Sequence, residues 1–326
     1  MSMEIKRKTP DVGDDLLSYL RSVLDDAGLA YSSRPTPVEG GFDTLVYRFQ
    51  LSGARGELAK PLILRVFRGG SPSRAVQESA VQEAVAGTSY PAPRVHVVCE
   101  DEGVLGSSFI IMDLIPGEPM MSLPLEEIPG MLAEAHLRLH AIDAEKITNT
   151  LKATVGHRKR TLDRMFNFMT NQIRDRDLRS LYGGLEWIEA NRPEDACKEA
   201  LCHGDFHPLN IIVEKGRVSG VLDWSGALIG DPTYDVGSTM FLAEVAAPML
   251  QPSVDWKALA RNYLESYRDA SPLPLEKIEY HEAFRCLISA MEGFQGHIAW
   301  RHPAMRQRMA EYFQEKTGVE ISLAHM

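Results

Sequence analysis

The sequence predicts an α+β fold of two lobes: a front lobe built on an antiparallel sheet with one helix, and a mainly helical back lobe. Three observations carry that expectation. Short apolar runs of strand type are concentrated before residue 113. Apolar residues at helical spacing dominate after 117. The dipeptide Pro116-Gly117 punctuates the change. The expected division is therefore residues 1–116 and 117–326, with a hinge about 113–117.

Taken in order, residues 12–29 read as a helix, because Leu16, Leu17, Leu20, Val23 and Leu24 share a face and Gly28 stands where it should stop. Strand-like runs follow at 45–51 and 62–67, joined by a polar stretch over 52–61. Residues 73–86 read as a helix, and 94–98 and 108–112 as further strands. In the back lobe 126–142, 160–190, 237–250, 255–268 and 277–299 read as helices. Its clear strands are 210–213 and 218–222, flanking the turn Glu214-Lys215-Gly216-Arg217.

Composition excludes several classes. The 326 residues are 44% apolar and 25% charged, as in ordinary globular proteins. No apolar run approaches the roughly 20 residues needed to span a bilayer, and no apolar segment follows the charged N-terminus, so neither membrane nor export is expected. A net charge of −10 argues against nucleic acid as a partner. Cys99, Cys197, Cys202 and Cys286 show neither C-x-x-C pairing nor zinc spacing and read as free thiols of a reducing cytoplasm.

The informative segment is His203-Gly204-Asp205-Phe206-His207-Pro208-Leu209-Asn210. Its H-x-D-x-x-x-x-N spacing suits phosphoryl transfer, with the Asp orienting an attacking hydroxyl and the Asn holding Mg²⁺ on phosphates. Folding 210–222 as a hairpin about the turn centre places Asn210 opposite about Val221. Asp223 then falls just past the same open end, beside Asp205. Oxygen donors of this kind suit a hard divalent ion such as Mg²⁺.

The compound pattern HGDFHPLN, VLDW and GDPTYD over 202–235, with strands and helix placed as above, resembles the aminoglycoside phosphotransferase-like kinases. That family also includes kinases of choline, homoserine and macrolides. The resemblance runs from about Val38 to Tyr267 and implies a protein-kinase-like two-lobed fold, ATP and Mg²⁺ as cofactors, and a small-molecule alcohol as acceptor. It implies Asp205 as the catalytic or hydroxyl-orienting group and Asn210 and Asp223 as Mg²⁺ ligands. It also implies that the main chain of Asp113 and Ile115 meets the adenine, and that Asp235 ties down the catalytic loop. Two departures stand out. Arg65 occupies the strand position where the family often has Lys; its expected helix partner is Glu78, with Glu83 as the fallback. The phosphate loop reads Gly40-Gly41-Phe42-Asp43-Thr44, so Gly40, Gly41 and Thr44 are its candidates, and Asp43 is an unexpected acid. The resemblance implies an aminoglycoside-like antibiotic or a metabolic alcohol as the expected acceptor. Two alternatives stay open: a nucleotide-binding pseudokinase, and a metallohydrolase using His203, Asp205 and His207. Glu292 could meet a substrate amine, but its position favours a solvated helix face. Oligomeric state does not follow from the sequence.

Overall fold

Five strands and three helices form the N-terminal part of the computed structural model, which describes residues 11–38, 44–68, 73–155, 161–193 and 199–326. The described chain divides into two compact units, Met1–Gly87 with Ala92–Pro116, and Thr88–Pro91 with Gly117–Met326. In the first, α1 (Gly13–Val23) precedes β1 (Ala30–Pro37), β2 (Thr44–Ser52), β3 (Leu62–Phe67), α2 (Ser73–Ala86), β4 (Val95–Cys99), the one-turn α3 (Glu102–Leu105) and β5 (Phe109–Asp113). The sheet order is β1-β2-β3-β5-β4, antiparallel throughout. The first helix is shorter than its periodicity suggests. It stops at Val23, Asp25 takes a left-handed φ of 50°, and Gly28 sits in the following turn with its N–H on Asp26 Oδ1. Strand β1 escapes sequence reading because its polar residues Ser33, Arg34 and Thr36 lie on an exposed sheet edge.

Strand β3 is buried along its whole length, and alternation sends its side chains into two cores. Leu62, Leu64 and Val66 join Leu16 and Leu20 of α1. Ile63 and Phe67 join Ala75 of α2 with Ile110 and Met112. Arg65 belongs by alternation to this second face, toward α2.

The second unit contains β6 (Glu118–Pro119), α4 (Ile128–His140), α5 (Ala144–Val155), α6 (Leu162–Asp175), α7 (Tyr182–Ala190), β7 (Ala200–Cys202), β8 (Ile211–Glu214), β9 (Arg217–Val221), β10 (Leu228–Gly230), α8 (Pro232–Phe241), α9 (Ala247–Leu250), α10 (Trp256–Ala270), α11 (Leu275–Phe294) and α12 (Pro303–Thr317). The expected single helix over 160–190 is two. Asp177, at φ 49°, and the turn Arg179–Leu181 break it, because the chain must bend to bury Leu181 and Leu185 in the same core as Met169. The helix expected from 237 starts at Pro232, capped by Asp231, whose Oδ1 accepts the Thr233 N–H at 2.9 Å. Phe284, Leu287, Ile288 and Met291 of α11 form the expected apolar stripe and pack with Tyr312 and Phe313 of α12.

Candidate active site

The hairpin β8–β9 pairs Glu214 with Arg217 and Val213 with Val218, then shifts by one residue at a bulge, so that Ile212 faces Gly220 and Ile211 faces Val221. The shift corrects the expected register: Asn210 lies across from Leu222, whose N–H donates to the Asn210 carbonyl at 2.8 Å. Asp223 follows immediately, at a left-handed φ of 63°. A non-glycine residue held there signals local constraint. Its Oδ1 accepts the Ser225 hydroxyl at 2.7 Å. Trp224 is packing, as its burial and its Nε1 bond to the Val221 carbonyl show.

The catalytic-loop candidate is braced from beneath. The Asp235 carboxylate of α8 accepts the backbone N–H groups of His203 at 2.6 Å and Gly204 at 2.7 Å. Gly204 takes φ 79°, and a Cβ on it would meet the Gly226 carbonyl oxygen at 2.4 Å. His203 is fully buried; its Nε2–H faces the Leu222 carbonyl at 2.9 Å, and its Nδ1 accepts the Asp205 N–H at 3.3 Å. Both ring nitrogens are thus committed to backbone, which leaves no lone pair for zinc. The metallohydrolase arrangement of His203, Asp205 and His207 is therefore not formed.

Asn210 Nδ2 donates to the Asp205 carbonyl at 3.0 Å and to Asp205 Oδ2 at 3.2 Å. Asp205 and Asn210 are in direct contact, and the hairpin brings Asp223 to the same strand end. His207 Nε2 lies 3.4 Å from Asp205 Oδ2. Burial alone would raise the Asp205 carboxyl, but His207, Arg285 and His203 outweigh it and hold the group well below the usual carboxylate range. His207 moves the other way, its loss of hydration outweighed by Asp205 and Asp223.

Sequence reading missed the deeper network. His136 and His140, one turn apart on α4, place their Nε2 atoms 3.0 and 3.2 Å from Asp235 Oδ2. Tyr263 and Tyr267, one turn apart on α10, donate their hydroxyls to the two Nδ1 atoms at 2.6 and 2.7 Å. The repeated i, i+4 spacing of two His and two Tyr was the available signal. Among the described residues this is also the one group of three His, Cys, Asp or Glu side chains with converging ligand atoms. Each imidazole is satisfied at both nitrogens when neutral, so the group works as a hydrogen-bonded brace. Burial and the neighbouring His140 push His136 down to about 4, and the two imidazoles hold the buried Asp235 well below its ordinary range, against its own desolvation.

The N-terminal unit holds the other candidates. Arg65 and Glu78 form a buried ion pair, as expected for the first-choice partner. Glu83 instead accepts the Val95 N–H. Thr44 is buried opposite Phe67 at the start of β2; Gly40 and Gly41 lie outside the described residues. The Asp113 side chain turns back to its own sheet, with Oδ1 2.7 Å from His96 Nε2 and Oδ2 accepting the Arg94 N–H at 3.1 Å. Among the described residues the Ile115 N–H makes no hydrogen bond.

The model of the phosphotransferase enzyme family matches residues 34–270. Acyl-CoA dehydrogenase family member 10 of Mus musculus is 28% identical over 253 residues, spanning 71% of this chain but 22% of that protein. The chain thus spans about a fifth of the length of the curated relatives it first matches. Among solved structures, a thermostable mutant of aminoglycoside phosphotransferase APH(4)-Ia, in ternary complex with AMP-PNP and hygromycin B, superposes with a TM-score of 0.66 at 17% identity, covering 94% of this chain and 100% of that one. Macrolide 2'-phosphotransferase MphH from Brachybacterium faecium gives 0.54 at 19%, covering 91% and 97%. At these identities the structures show a shared fold. The family match covers well over half of the sequence, and with it this chain belongs to the phosphotransferase enzyme family.

Proposed function

We propose that the protein moves the γ-phosphoryl group of ATP to a hydroxyl of a small molecule, with Asp205 orienting that hydroxyl. The observation that carries the reading is the Asp205–Asn210 contact at the end of the hairpin that also delivers Asp223. Asp205 is ionised and weakly basic, so its task is to align the hydroxyl and to receive the proton late. That fits a loose transition state in which little nucleophile deprotonation is needed beforehand. The backbone bonds to Asp235 fix where the carboxylate stands, and positioning of this kind is the main contribution a protein makes to phosphoryl transfer.

The Asn210 amide oxygen and the Asp223 carboxylate are hard oxygen donors that fit Mg²⁺ and would hold it. When bound, Mg²⁺ would neutralise charge on the phosphate oxygens. Arg65 would carry positive charge to the α- and β-phosphates, kept in place by Glu78; its guanidinium can fork two bonds to phosphate where Lys would offer a point charge. The main chain at Asp113 and Ile115 would meet the adenine edge. Gly40, Gly41 and Thr44 would belong to the phosphate loop.

Calorimetric titration with ATP, with and without Mg²⁺, followed by transfer of labelled γ-phosphate to a panel of alcohols, tests the reading. The panel comprises aminoglycosides, macrolides, choline-like amines, sugar alcohols and hydroxy acids. Mg²⁺-dependent transfer to a hydroxyl is expected. Absence of nucleotide binding, or transfer indifferent to Mg²⁺, would contradict it.

A further inference from the structure

The segment that follows Asp205 turns a second side chain back onto it. His207 is extended, at φ −151° and ψ 161°, the conformation that a following proline favours. Residues Pro208–Asn210 then make one tight 3-10 turn, closed by the Asn210 N–H on the His207 carbonyl at 3.0 Å. Side chains three apart come over one another in such a turn. His207 and Asn210 therefore meet, with Nε2 of the ring 3.2 Å from Nδ2 of the amide, while Leu209 between them is exposed.

Both side chains close on one oxygen of Asp205. Asn210 Nδ2 donates to Oδ2 at 3.2 Å, and His207 Nε2 lies 3.4 Å from the same atom. The second hydrogen of the Asn210 nitrogen goes to the Asp205 carbonyl at 3.0 Å. An ionised carboxylate only accepts, so the ring nitrogen that faces it carries the hydrogen. The Asp205 N–H is separately bound to His203 Nδ1 at 3.3 Å. These main-chain bonds leave the carboxylate free to rotate, and the two contacts on Oδ2 stop it. Among the described residues Oδ1 accepts no hydrogen bond, and with the side chain 34% exposed it stays within reach of an acceptor. His207 Nδ1, by contrast, is buried and has no partner among the described residues. The side-chain polar contacts of this ring all fall on Asp205 and Asn210. A buried nitrogen without a partner costs stability, so the fold alone does not account for a histidine here.

We infer that His207 is a positioning residue for phosphoryl transfer: with Asn210 it holds Asp205 by Oδ2, so that Oδ1 is the oxygen that receives the acceptor hydroxyl. It acts through Asp205 and touches neither nucleotide nor acceptor. A carboxylate free to rotate would present its oxygens at varying angles, and alignment of the hydroxyl is the whole of its task in a loose transition state. The inference rests on the phosphotransferase reading and deepens it from the residue to the atom.

Three variants separate positioning from packing. His207→Phe keeps the ring and removes the donor, His207→Gln carries an N–H to the depth of Nε2, and His207→Asn stops short of it. Turnover of labelled Mg·ATP is measured for each, with water as acceptor and with any alcohol that the wild-type protein accepts; nucleotide affinity is measured by calorimetry and stability by thermal unfolding. His207→Phe and His207→Asn are expected to lose about tenfold or more in kcat with Mg·ATP affinity unchanged, and His207→Gln to recover most of the loss. His207→Phe should unfold no earlier than the wild type, since it removes the unpartnered Nδ1. In an Asp205→Ala background His207→Phe should cost almost nothing further, because a residue that acts through Asp205 has nothing left to hold. Wild-type kcat in His207→Phe, an equal loss in His207→Gln and His207→Asn, or a full further loss in the Asp205→Ala background overturns the inference while the phosphotransferase reading stands. If His207→Phe does not fold, the comparison of His207→Gln with His207→Asn decides. If the wild-type protein turns over no Mg·ATP with water or any alcohol, both fall together.

Discussion

Arg65, Glu78 and Gly204 are the residues whose chemistry leaves least freedom. The Arg65–Glu78 pair was legible because alternation in β3 sends Arg65 away from Leu64 and Val66, and Glu78 is the acid of α2 that meets it. Removing one member of a buried ion pair strands the other. Glu78→Gln should cost about 3 kcal/mol in urea unfolding, and Arg65→Met should weaken ATP binding measured by calorimetry, with Arg65→Lys intermediate. Gly204 has no such tolerance, since a Cβ would strike the Gly226 carbonyl oxygen. Gly204→Ala should abolish phosphate transfer, and circular dichroism should show the rest of the chain still folded. The packing of Arg285 over Phe241 and Trp300 was not legible, because those rings lie 44 residues before it and 15 after and only the folded chain brings them together.

The hairpin and the helices under it show how local rules place the site and where they fall short. The turn and the first two pairs follow the register read from sequence; the bulge between Ile212 and Val213 then moves Asn210 from Val221 to Leu222. A bulge is a tertiary adjustment that residue type does not announce. Helices α5 and α12 went unread, and the strands β7 and β10 have only three residues each. The brace of α4, α8 and α10 gives a pH dependence with a definite sign. His136 is held at about 4 in the fold, chiefly by burial, against an ordinary value of 6.5. A histidine lowered on folding contributes stability that is present above 6.5 and lost as pH falls toward 4. Asp235, also lowered, adds loss in the same direction below the ordinary carboxylate range. The groups facing His136 are Asp235, His140, His203 and Tyr263, and protonating the ring would replace the acceptor that Tyr263 needs. The unfolding midpoint should therefore drop between pH 6.5 and 4 by an amount equivalent to a few kcal/mol, and His136→Gln should flatten that dependence.

The division into a sheet-bearing unit and a helical unit was legible from the change in apolar periodicity near Pro116-Gly117, because strands and helices bury their residues at different spacings. The edge strand β1 and the break within 160–190 were not, since both depend on what the rest of the chain covers. The likeness to aminoglycoside and macrolide phosphotransferases, at under a quarter identity, is a likeness of fold. Because Mg·ATP would bind only the folded chain, saturation at about a hundred times its Kd should stabilise the protein by roughly 2.7 kcal/mol, seen as a rise in unfolding temperature. The most direct test of the phosphotransferase reading is single-turnover transfer of labelled γ-phosphate from Mg·ATP to an accepted alcohol by the wild-type protein and by Asp205→Asn, with nucleotide affinity measured on both. The expected result is transfer slowed by about a hundredfold or more in Asp205→Asn, with ATP bound nearly as tightly as in the wild type. Undiminished transfer by Asp205→Asn would contradict it.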